Sequence, residues 1–61
     1  MTKEDQEEVK TLLDDVINRE FKLSAWEHDF IISIKDQFEL TNNLSDKQMT
    51  KLHDIWEAIT S

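Results

Sequence analysis

The 61-residue chain contains no glycine, no proline and no cysteine. Glycine supplies the left-handed backbone of tight turns and strand hairpins, and proline punctuates loops, so their joint absence points away from sheet and towards a few long helices with few breaks. Without cysteine there is no disulfide and no thiolate metal site, and stability has to come from apolar packing and well-made helix ends. That demand is severe for a chain this short, which buries only about 60% of the surface it exposes when unfolded. The lack of cysteine also suits a reducing compartment. No run approaches the roughly 20 apolar residues of a membrane span. Lys3 is followed at once by Glu4 and Asp5, unlike the basic-then-apolar order of a signal peptide. A cytoplasmic protein without a membrane partner is the expectation.

Positive charge is also scarce. Fourteen acidic residues face seven Lys and Arg, a formal charge of −7. At long range such a surface repels phosphates, which disfavours autonomous binding of nucleic acid. The imbalance is uneven: residues 1–15 carry six acids and two bases, residues 16–61 eight acids and five bases. A local basic strip on the second part stays open.

What is present is a threefold pattern of helix starts. Thr2-Lys3-Glu4-Asp5, Ser24-Ala25-Trp26-Glu27 and Ser45-Asp46-Lys47-Gln48 each place a hydroxyl three residues before Asp, Glu or Gln. In that arrangement side chain and backbone cap each other's free amide donors. Helix 1 is expected over about 3–19, with acids in its opening turns where the helix dipole favours them. Val9, Leu12, Leu13, Val16 and Ile17 form its single apolar stripe. Helix 2, over about 25–40, carries Trp26, Phe30, Ile31, Ile34 and Phe38, while Ile32 lies about 100° from Ile31 and is left exposed. Residues near Glu20 to Leu23 connect the two. Thr41-Asn42-Asn43 closes helix 2, asparagine being the best substitute for glycine in a left-handed position. Helix 3, over about 46–59, buries Met49, Leu52, Ile55, Trp56 and Ile59, and Leu44 is placed to staple onto Met49. Three helices with one apolar face each bury them best against one another, giving an all-α, compact three-helix bundle as a single domain of residues 1–61. A homodimer that completes its core between subunits is the alternative to a monomer. Helices 2 and 3 also align at an offset of 21 residues, Leu23, Ser24, Glu27, Ile31, Ile34 and Phe38 falling on Leu44, Ser45, Gln48, Leu52, Ile55 and Ile59. Two capped amphipathic helices of like length can match in this way without repetition.

No residue set reads as a catalytic or metal site, and no cofactor is expected. His28 and His53 stand on different helices, outside any metal-binding spacing, and their neighbours Asp29 and Asp54 point about 100° away. Surface or helix-end roles are expected for both. The pairs Glu7-Glu8 and Asp14-Asp15 read as a solvated acidic face, because acid–base work needs a cleft. A glycine-rich phosphate loop is excluded by composition. The candidate residues are therefore partner-binding ones. Trp56 sits inside a regular stripe and is expected in the core. Trp26, in the first turn of helix 2 and partly wet, either covers the end of the bundle or meets a partner. Ile32 is the apolar residue off the main stripe. Lys35 on helix 2 with Lys47 and Lys51, one turn apart on helix 3, can contact phosphates if they converge; otherwise they solvate the helices and balance Asp46, Asp54 and Glu57.

The segments Leu23-Ser24-Ala25-Trp26-Glu27 through Phe30, Ile31, Ser33, Ile34 and Gln37, and Leu44-Ser45-Asp46-Lys47-Gln48 through Leu52, Ile55 and Trp56, resemble small helical modules of tailed-phage proteins. In particular, residues 8–58 are similar to the short domain associated with the C-terminus of the T4-type phage recombination helicase UvsW. The resemblance implies a non-enzymatic accessory of phage DNA recombination, repair or replication, in the host cytoplasm, that binds a larger, helicase-like protein, and the exposed edge around Trp26, Ile32 and the helix 2 to helix 3 connection is the expected contact. The helicase's ATP-binding motifs have no counterpart here, so its activity does not carry over. Two other functions fit the composition. One is a small acidic inhibitor of a host DNA-binding protein, with Glu4, Asp5, Glu7 and Glu8 imitating phosphates. The other is a weak binder of single-stranded nucleic acid through Lys35, Lys47, Lys51 and a tryptophan.

Overall fold

A computed structural model describes residues 2–61. Helix α1 spans Lys3–Asn18, α2 spans Ala25–Thr41 and α3 spans Asp46–Thr60, with a single 3-10 turn at Glu20–Lys22 between the first two. Each helix opens where hydroxyl and acid or amide stand three residues apart. Thr2, Ser24 and Ser45 accept from the backbone N–H of Asp5, Glu27 and Gln48, and the side chains of those three residues accept in return from the cap backbone. A reciprocal cap of this kind satisfies two orphan donors, and loss of the hydroxyl costs about 1 kcal/mol.

The ends follow from local chemistry as well. Helix α1 stops at Asn18, one residue before the expected Arg19, because the chain tightens there into the 3-10 turn. Helix α2 runs one residue past Leu40 and is closed by Asn42 in the left-handed region at φ 53°, the only non-glycine positive φ among the described residues. The hydroxyl of Thr41 donates towards the carbonyls of Gln37 and Asn43 and accepts from the Asn43 N–H, so the corner carries its own hydrogen bonds. No basic residue occupies the last turn of α3; instead Lys22 of the 3-10 turn donates from Nζ to the carbonyl of Ile59 at 3.2 Å. A cation at that end opposes the negative pole of the helix.

Contacts between elements give the topology. Glu8 meets His53, Asp15 meets Trp56 and Lys22 meets Ile59, an ascending series that sets α1 and α3 parallel. Glu20 meets His28 at one end of the α1–α2 pair, and Lys10 shares a groove with Asn42 at the other, so α2 runs antiparallel to α1. The result is an up-down-up bundle. Its core is Val9, Leu12, Leu13 and Val16 from α1, Ile31, Ile34 and Phe38 from α2, Leu44 from the second connection, and Leu52, Ile55 and Ile59 from α3. Burying a side chain of this size contributes about 1.5–3 kcal/mol. No polar side chain is buried among the described residues, so the core carries no desolvation penalty to offset. The radius of gyration, 10.7 Å, matches the ~10.5 Å expected of a compact 61-residue domain and rules out a single extended rod.

The offset of 21 residues has a structural counterpart. Ile31 and Leu52, Ile34 and Ile55, and Phe38 and Ile59 are buried pair by pair, and Ser24 and Ser45 both cap. Gln48 does more than its counterpart Glu27. While its Oε1 accepts from Ser45 N at 2.8 Å, the same amide exchanges two hydrogen bonds with Gln37 of α2, at 3.0 and 2.9 Å. An amide at this position both donates and accepts, which a carboxylate cannot do. Among the described residues, no helix is long and apolar enough to cross a membrane.

Candidate partner-binding surface

Trp26 lies in the first turn of α2 and is 56% exposed, more than a place in the apolar stripe implies. The cause is position: Phe30, one turn further on, closes the edge of the core, and Trp26 stacks on Phe30 from outside with ring centroids 5.9 Å apart and planes 8° from parallel. Above the indole sits Lys51 of α3, its Nζ 4.8 Å from the ring centroid. This is a cation–π contact across two helices, in the range where the ring quadrupole attracts an ammonium. Lys51 therefore goes to an aromatic face; among the described residues neither it nor Lys47 has a carboxylate within 4 Å.

The three lysines do not share a face. Lys35 stands nine residues after Trp26, about 180° around α2 from the side where Lys51 lies. Its Nζ donates to Glu39 Oε1 at 2.9 Å, and this bond, reinforced by the charge of the same carboxylate, raises the ammonium pKa above its ordinary value. With Lys10, Asp14 and Glu39, Lys35 rims an open groove of about 380 Å³ between α1 and α2, floored by Leu13 and Phe38. Charges of both signs line that rim. A second hollow of about 430 Å³ beside the start of α3 is lined by Asp5, Asn43, Leu44, Asp46 and Met49.

Ile32 is 41% exposed and lies about 120° around α2 from Trp26, so the two do not form one edge. It does have company that periodicity alone did not single out. Leu40 is 85% exposed near the end of α2, and Phe21 is 79% exposed in the 3-10 turn. Neither falls on a stripe, and that was the available signal: a large apolar residue with no place in the core-facing period. All the large exposed apolar side chains of the described chain thus lie between residues 21 and 40, and none is on α1 or α3.

The histidines are helix-bridging groups. His28 Nε2 lies 3.4 Å from Glu20 Oε2 of the 3-10 turn and His53 Nε2 lies 3.5 Å from Glu8 Oε1 of α1, both pairs half-exposed. Among the described residues no three His, Cys, Asp or Glu side chains gather as a metal site would require. Trp56 is half-buried against the core, and its indole N–H donates to Asp15. No family model, curated protein or solved structure matches this chain.

Proposed function

We propose that the chain is a non-enzymatic interaction module that docks on a larger protein. The observation that supports this reading is the concentration of unburied apolar bulk, Phe21, Trp26, Ile32 and Leu40, on the first connection and on α2. A bundle this small has little stabilisation to spare, and exposed side chains of this size are the usual material of recognition surfaces. The sequence resemblance directs the search for the partner to the proteins of phage DNA recombination, repair and replication, with a recombination helicase first. The test is calorimetric titration of such a helicase with this protein and with its Trp26→Ala and Leu40→Ser variants. Micromolar or tighter binding that the variants weaken supports the reading; no heat at micromolar concentration contradicts it.

A phosphate-imitating inhibitor is the second reading, supported by the exposure of Glu4, Asp5, Glu7 and Glu8 on α1. Two of these four already have internal work: Asp5 closes the first capping box and Glu8 faces His53. Binding of single-stranded nucleic acid ranks third, since Lys51 occupies Trp26 and Lys35 lies on the opposite flank of α2.

A further inference from the structure

Helix α2 carries large apolar residues on two sides. Its inner side is the core stripe. Its outer side carries Asp29, Ile32, Ser33, Asp36 and Leu40, at the i, i+3, i+4, i+7 and i+11 positions of one continuous face that the bundle leaves bare. That face is about 16 Å long at 1.5 Å per residue, close to three helical turns. Ile32 and Leu40 are its apolar contacts, two turns apart. Asp29 and Asp36, also two turns apart, sit between and beside them, and among the described residues neither carboxylate has a basic nitrogen within 4 Å. The adjacent Glu39 differs in being matched already, by Lys35.

The charges choose among possible occupants. A second copy of the chain would bring Asp29 and Asp36 against their equivalents, and two bodies of formal charge −7 repel each other at long range. Nucleic acid is repelled for the same reason. A helix with an apolar stripe bordered by lysine or arginine meets both requirements at once, filling the space beside Ile32 and Leu40 and neutralising the two aspartates. We infer that the outer face of α2 is a docking surface for a basic amphipathic helix of the partner protein. The assignment rests on the interaction-module reading and gives it a partner chemistry. The acidic rim steers association and sets its salt dependence, while the apolar pair holds the complex.

The test is fluorescence anisotropy with two labelled 18-residue helical peptides that share a leucine stripe, one bordered by lysines and the other by glutamates. The lysine peptide binds and the glutamate peptide does not. Asp29→Asn with Asp36→Asn weakens binding about three- to tenfold at low salt, and Leu40→Ser about tenfold. Glu4→Gln with Glu7→Gln removes the same charge from α1 and leaves binding within twofold. Circular dichroism confirms that the variants fold, since all five altered residues are exposed. Equal weakening by the two double variants, or no binding of the lysine peptide, overturns the assignment. So does a wild-type dimer in sedimentation that Leu40→Ser dissociates, because the occupant is then a second copy. Helicase binding that survives the α2 double variant and Leu40→Ser refutes this face and leaves the module reading standing, whereas absence of helicase binding by the wild-type protein counts against that reading alone.

Discussion

The indole N–H of Trp56 on α3 donates to Asp15 Oδ2 on α1 across 3.2 Å, joining two residues 41 apart in the chain. Asp15 also lies 3.6 Å from Arg19, the residue that caps the end of α1, so the carboxylate is held from two sides. A half-buried tryptophan needs a partner for its N–H, and this bond lets the ring pack against the core without an unsatisfied donor. Trp56→Phe should therefore cost about 1 kcal/mol beyond the smaller ring, and a double-mutant cycle with Asp15→Ala should return a coupling of about 0.5–1.5 kcal/mol. Urea unfolding measures both. A coupling near zero would show that the bond contributes nothing in solution.

Asn42 is the one residue of the described chain in left-handed backbone. Glycine there removes the steric penalty of a Cβ, whereas alanine keeps the penalty and loses the tolerance of asparagine. Asn42→Gly is expected to leave stability unchanged or raise it by up to about 1 kcal/mol, and Asn42→Ala to lower it by about 1 kcal/mol. On a domain this small, that separates the two thermal midpoints by roughly 4–16 °C.

Much of this architecture is legible in the sequence, because its signals are local. Hydroxyl-to-acid or hydroxyl-to-amide spacing at Thr2, Ser24 and Ser45 marks the starts, the 3.6-residue period marks the inward faces, and the segment Thr41-Asn42-Asn43 marks the corner, with the structure choosing Asn42 as its left-handed residue. The cross-helix pairs are not legible. Lys51 with Trp26, Gln37 with Gln48 and Lys22 with the end of α3 depend on where helices cross, which no spacing within one helix encodes. The exposure of Phe21 and Leu40 belongs to the same class: stripes identify what is buried, and these residues are notable for lying outside one.

The contact between Lys51 and Trp26 makes the indole a reporter. Replacing Lys51 with Ala uncovers one face of the ring, so in a Trp56→Phe background, where Trp26 is the only tryptophan, acrylamide quenching should increase. Stability should fall by only about 0.5–1 kcal/mol, the range for an exposed cation–π pair. Unchanged quenching would mean that the ammonium does not rest on the ring.

Lys35 titrates above its ordinary 10.5 because of Glu39. For a cation whose folded pKa is raised, the linked stabilisation is fully present below 10.5 and disappears as pH climbs through the raised value. Lys35→Gln should therefore lower the urea midpoint slightly at neutral pH, with the difference from wild type closing in strong alkali. The effect is small, because the pair is exposed and is screened by salt. A difference that persisted after the lysine had lost its charge would assign it to packing of the aliphatic stem.

The most direct test of the account follows the backbone amides of the isotopically labelled protein while an unlabelled recombination helicase is added. Binding through the outer face of α2 predicts loss of signal or altered shifts at Asp29, Ile32, Ser33, Asp36 and Leu40, with the first half of α1 unaffected. Changes centred on Glu4, Asp5, Glu7 and Glu8, or an unaltered spectrum at saturating helicase, would contradict it.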